Sequence, residues 1–161
     1  MPFALRESDD AFLATAPHRC VHVVELTASP RAVWAALVAD DALVSWSTAV
    51  TGMRWTSRPP HGVGATRVVT LGGVAALTER FYRWEDERRM TFTVDAASVP
   101  GLRRFAEDLE LTPTATGTTL TWTFAVEGGP VLRPLLGLSG PVTRGLTGSI
   151  ARGIRRAIAA P

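Results

Sequence analysis

The chain has 161 residues, enough for one domain that buries roughly 70% of its unfolded surface, and no apolar run approaches the ~18 residues that a bilayer span needs. All seventeen basic residues are arginine, which excludes lysine Schiff-base chemistry, and the single cysteine, Cys20, excludes an internal disulfide or a cysteine-rich metal site. A net charge of +2 is too small to point to nucleic acid, so no nucleic-acid partner is expected.

Residues 1–19 read as a weakly patterned N-terminal arm without the basic and apolar regions of a signal peptide, so the expected location is the cytoplasm. A first strand is expected over residues 20–28, with His22, Val24 and Leu26 inward. Ser29-Pro30 then caps a helix over 31–39, followed by a second short helix over 41–45 and Trp46. Strands are expected at 53–57, 65–71, 75–84 and about 90–95. A hairpin centred on Gly73 sets Leu71 opposite Ala75, Val69 opposite Leu77 and Arg67 opposite Glu79; a two-residue Gly72-Gly73 turn would instead split Arg67 and Glu79 onto opposite faces. The same parity carried through the turn at 85–88 sets Phe81 opposite Phe92, with Met90 on the same face. Strands over 104–112 and 118–126 fold together with Leu111 by Leu120, Leu109 by Trp122, Glu107 by Phe124 and Phe105 by Val126.

After Gly128-Gly129-Pro130 the apolar residues recur every fourth position, at Val142, Leu146, Ile150, Ile154 and Ile158, which is one stripe of an amphipathic helix. Gly137, Gly140 and Pro141 interrupt it, so a two-part helix is expected with the longer piece starting near Pro141. Gly145, Gly148 and Gly153 either leave room beneath this helix or let it approach the sheet closely. The fold class is α+β: a seven-stranded curved antiparallel sheet with one wet face, wrapped around a long C-terminal helix, with two short helices between the first two strands. Residues 1–19 form the arm and 20–161 a single domain.

The order of elements resembles the START-like, or Bet v 1-like, helix-grip superfamily, and within it the polyketide cyclase/dehydrase-like proteins. The resemblance is carried by Leu26-Thr27-Ala28-Ser29-Pro30-Arg31-Ala32-Val33-Trp34, by Trp46, by Gly62-Val63-Gly64 leading to Arg67, by Glu79 with Trp84, and by Leu120-Thr121-Trp122. It implies an interior cavity for an apolar or aromatic small molecule. It supplies no shared catalytic motif.

The inward positions nominate His22, Trp46, Trp55, Arg67, Val69, Leu77, Glu79, Phe81, Met90, Phe92, Glu107, Leu109, Trp122, Phe124, Leu146 and Ile150 as the surroundings of a ligand. Three ionisable groups on the apolar sheet need an account, because an unpaired buried charge is costly. Arg67 and Glu79 read either as a structural ion pair or as an electrophile and base that orient a ligand. Glu107, among Phe124, Phe105 and Leu109, is either a desolvated acid or a group reaching water at the open end of the sheet. His22 is a satisfied core histidine or a ligand contact. His18, His22 and His61 have no ligand spacing between them, so neither a metal nor another cofactor is expected.

Three functions fit these residues. The first is a binding protein for a lipid-like or polyketide-like molecule held between sheet and helix. The second is a cyclase or dehydratase using Glu79, Arg67 and Glu107 for proton transfer. The third is a protein- or RNA-interaction module that presents Arg144, Arg152, Arg155 and Arg156 of the last helix.

Overall fold

Strong alternation in the strand sequences closes one antiparallel sheet in the computed structural model, which describes residues 1–138 and 140–159. The last two residues of the expected domain, Ala160 and Pro161, lie outside the described residues. The elements are β1 (Phe3–Ala4), α1 (Asp10–Thr15), β2 (His18–Leu26), α2 (Pro30–Val38), β3 (Val50–Trp55), β4 (Thr66–Leu71), β5 (Ala75–Glu85), β6 (Arg89–Ala97), β7 (Leu102–Thr114), β8 (Gly117–Gly128), α3 (Leu132–Leu138) and α4 (Gly140–Ala159). Seven strands run in the order β2-β8-β7-β6-β5-β4-β3, and the two-residue β1 adds to β6.

The expected register holds at each hairpin. Arg67 pairs with Glu79 and Leu71 with Ala75, because Gly72 and Gly73 both take positive φ (56° and 73°) and make a three-residue turn with Val74. Phe81 pairs with Phe92, Glu107 with Phe124 and Leu109 with Trp122, and β2 joins β8 with His22 beside Trp122. Ser29 caps α2 by accepting from the Ala32 amide at 3.3 Å, with Pro30 in the first turn. Residues 40–46 form successive turns in place of a second regular helix, and Leu43 takes a φ of 70°, which breaks helical continuation.

Two further features depart from the sequence expectation. The outer face of the sheet is only partly wet. Asp9 caps α1 by accepting from the Phe12 amide at 2.9 Å, and Phe12 and Leu13 pack against Ala106 and Ala125, cross-strand partners whose small side chains leave a seat. Around that seat Thr91, Thr93, Asp108 and Thr123 are buried.

The apolar stripe of α4 is also not buried along its length. Ile150 and Ile154 are buried together with Thr147 and Ala151, whereas Val142 and Leu146 are 72% and 47% exposed. The helix packs on β2 and α2, and Gly153 sits so close to the turn before β3 that an added Cβ would lie 2.6 Å from the Trp46 carbonyl oxygen. Nearer its start the helix stands over open space, not over packed side chains. No helix among the described residues is long and apolar enough to cross a membrane.

Candidate functional site

The inner face of the sheet divides into a filled end and an empty end. At the filled end Trp34 of α2, Trp55 of β3 and Trp84 of β5 meet Phe81 and Phe92, with Trp34 and Trp84 edge to face at 5.4 Å and Phe81 and Trp84 at 5.1 Å. Arg67 is buried in this aromatic cluster. Its guanidinium carbon lies 5.0 Å from the Phe81 ring centre, 5.2 Å from Phe92 and 5.5 Å from Trp55, and its Nε donates to Oε2 of Glu79 at 2.6 Å.

The empty end is a cavity of about 670 Å³ bounded by β2, β4, β5, β7, β8 and the two C-terminal helices. Its volume falls in the range of small-molecule sites. Of the residues expected around a ligand, Val69, Leu77, Glu79, Glu107, Trp122, Phe124, Leu146 and Ile150 border it.

The other expected residues do not. Arg67, Phe81, Met90, Phe92 and Leu109 share the inward face but are sealed in the filled end. Trp46 is buried against Trp122 at 6.2 Å and under Gly153, and Trp55 stacks on His61 at 3.9 Å, so neither stands at the cavity mouth. His22 points to α4 rather than to the cavity, with Nε2 2.7 Å from Thr147 Oγ1. That hydroxyl donates to the Thr143 carbonyl at 2.9 Å, which leaves its oxygen to accept from the imidazole. Burial, then the Arg152 and Arg144 charges, lower the His22 pKa. Alternation reveals which face a residue is on; it does not reveal how far along that face the bulky side chains of other elements reach.

Several lining residues escaped the sequence reading. Cys20, His18, Val50, Leu71, Ala75, Leu102, Phe105 and Val126 border the cavity, as do Leu136 of α3 and Thr143, Arg144 and Thr147 of α4. Cys20, Phe105, Leu71 and Val126 were legible from parity, since they share it with residues that were chosen. Nε2 of His18 is buried without a hydrogen-bond partner among the described residues.

Two carboxyls stand on the cavity wall. Glu79 and Glu107 are 3% and 8% exposed. Burial pushes the Glu79 carboxyl up from its ordinary value, against the charge and hydrogen bond of Arg67. Glu107 is pushed up to about 8, first by burial and then by the Glu79 charge, while the Trp122 hydrogen bond and Arg67 pull the other way. Trp122 supplies that bond from Nε1 to Oε2 of Glu107 at 2.7 Å and stacks on Phe124 at 5.4 Å. Burial disfavours charge on both carboxyls; Glu79 is answered by the Arg67 guanidinium, and Glu107, pushed to about 8, keeps its proton in the neutral range. Among the described residues no cluster of three His, Cys, Asp or Glu could hold a metal ion.

Residues 17–160 match the family model described as polyketide cyclase / dehydrase and lipid transport. An uncharacterized protein of Mycobacterium tuberculosis strain H37Rv is 35% identical over 136 residues, covering 80% of this chain and 81% of its own, and an uncharacterized Mycobacterium bovis protein matches to the same extent. Among solved structures, a START superfamily protein of Mycobacterium smegmatis superposes with a TM-score of 0.69 at 16% identity, over 88% of this chain and 97% of that one. A protein of Thermus thermophilus gives 0.71 at 19% identity over the same shares. A protein of the dynemicin biosynthetic locus gives 0.67 at 18%, over 89% of this chain and 48% of its own. At these identities the structures speak for the fold alone.

Proposed function

The chain belongs to the polyketide cyclase / dehydrase and lipid transport family, and from that premise we propose that it binds an apolar or aromatic small molecule in the cavity between the sheet and α4. The observation that carries this reading is the cavity itself, about 670 Å³ of unfilled space with walls of Val69, Leu77, Phe105, Trp122, Phe124 and Ile150. A half-open cavity of that size with mostly apolar walls is the usual form of a small-molecule site. A ligand that filled it would recover the apolar burial that the walls lack, at about 25 cal/mol per Å².

The test is native mass spectrometry of the purified protein before and after denaturation, together with titration of a neutral naphthalene ketone, 6-propionyl-2-(dimethylamino)naphthalene. A co-purifying molecule or saturable probe binding is expected, and both should fall at least tenfold when Leu77→Trp or Val126→Trp fills the space. Binding indifferent to both substitutions would end this reading.

Two buried carboxyls on one cavity wall, Glu79 held by Arg67 and Glu107 by the Trp122 N–H, favour a second reading, an acid/base enzyme of the cyclase or dehydratase type. The trapped molecules separate the two. A carrier yields the same molecule from native protein and from Glu107→Gln, whereas an enzyme yields product from the first and precursor from the second.

A further inference from the structure

The two buried carboxyls give the inner wall of the cavity a chemical preference of its own, and the inference drawn from it rests on the binding reading above. Arg67, the one guanidinium coupled to both, is committed to Glu79 at 2.6 Å and lies among aromatic rings off the cavity lining. An anionic group pushed against this wall would meet the Glu79 carboxyl, whose cation Arg67 is already committed, while the arginines on the lining, Arg19 of β2 and Arg144 of α4, stand on other elements. Glu107 is different. Its Oε2 accepts from Trp122, and its Oε1 has no hydrogen-bond partner among the described residues although the side chain borders the cavity.

We propose that Glu107 is the specificity-determining residue of this cavity: its protonated carboxyl donates a hydrogen bond from Oε1 to an uncharged acceptor oxygen of the ligand, a ketone, ester, amide or quinone carbonyl, and the wall disfavours carboxylates. Because Oε2 is already an acceptor toward Trp122, the proton belongs on Oε1. A carboxyl that keeps its proton up to about 8 is a donor through the neutral range and ceases to be one above it. The groups facing it are Glu79 from β5, Arg67 from β4 and Trp122 from β8. The remaining ionisable groups on the lining are His18, Arg19 and Cys20 of β2 and Arg144 of α4.

The experiment titrates the naphthalene ketone and the matched carboxylate, 6-(dimethylamino)-2-naphthoate, from pH 6 to pH 9.5 in a Cys20→Ser background. The ketone should bind at least about tenfold tighter than the carboxylate at pH 7 and lose about five- to tenfold between pH 7 and pH 9.5, the worth of one hydrogen bond. Glu107→Gln should hold one affinity across that range, whatever its level. Trp122→Phe removes the bond that favours the ionised carboxyl, so the midpoint of the loss should move to higher pH even if overall affinity changes.

Equal affinity for ketone and carboxylate, or a pH profile unchanged in Glu107→Gln, would overturn the assignment. If the probes are displaced by Leu77→Trp yet blind to Glu107, the cavity reading stands and only the role of Glu107 falls. If neither probe binds saturably, both fall together.

Discussion

Glu107 is the residue at which folding and function draw on the same proton. Arg67 and Glu79 offset their desolvation with a 2.6 Å contact and three aromatic rings, whereas Glu107 has no cation of its own and keeps its proton instead. Burial and the Glu79 charge push the carboxyl up from an ordinary 4.5 to about 8 in the folded chain, so between those values the folded state holds a proton that the unfolded state has released. Stability therefore falls as pH rises between those two values, by up to about 1.4 kcal/mol per unit, and levels off outside them. Glu107→Gln removes that titration. Its stability relative to the native chain should be lowest at pH 5 and rise by several kcal/mol, on the order of 3–4, by pH 8 to 9. Urea unfolding at pH 5, 7 and 9 would measure the difference, and a constant difference across the three would place the proton on another group. That Glu107 faces inward was legible because Phe105, Leu109 and Phe124 on the same face are apolar; that it is buried, and does not reach water at the end of the sheet, is what the structure adds. The Trp122 bond was not legible, since it runs diagonally to the cross-strand pair that alternation identifies.

At the scale of elements, the strands were the most legible part of the chain. Their period of two is fixed by the pleat, and a slip of one residue would turn every apolar side chain outward, so the hairpins at 72–74 and 115–116 set their own registers. The helices were less so. The four-residue stripe of α4 locates an apolar face and not what lies beneath it: Val142 follows the stripe yet is exposed and off the cavity lining, and Leu146 stands half-exposed on the cavity's edge. The glycines of α4 separate in the same way. A Cβ on Gly153 would meet the backbone of Trp46 at 2.6 Å, whereas a Cβ on Gly145 would meet nothing. Gly145→Ala should therefore raise stability by about 0.5–1 kcal/mol through helix propensity alone. Gly153→Ala should lower it by about 1–3 kcal/mol, since a carbonyl fixed in a turn cannot yield as a side-chain tip would. Thermal unfolding of the two variants reads both signs, and a stabilised Gly153→Ala would mean that α4 stands off the turn.

The whole molecule is a sheet with two sides of unequal weight, a large apolar face that half encloses a cavity and an outer face on which the N-terminal arm lies. The sequence marked residues 1–19 as an arm but not where it docks, because α1 spans only six residues and its seat, Ala106 and Ala125, reads as polar-face filler. Two kinds of interaction hold it. Arg6 with Glu127, Glu7 with Arg80, Asp9 with Arg104 and Asp10 with Arg83 form ion pairs in which at least one partner is largely exposed, and such pairs contribute about 0–1 kcal/mol each. Phe12 and Leu13, at 4% and 8% exposure, contribute about 1.5–3 kcal/mol each by burial, and Arg104 adds a cation over the Phe12 ring at 4.2 Å. The apolar contact should decide the docking. In limited trypsin digestion, Phe12→Ala should open cleavage after Arg6 by more than tenfold, whereas Glu127→Gln should change it less than about threefold. Salt at about 1 M, where charges are screened within roughly 3 Å, should leave the native arm in place. If salt instead frees the arm as fully as Phe12→Ala does, the charged pairs carry the docking and the two alanines are incidental to it.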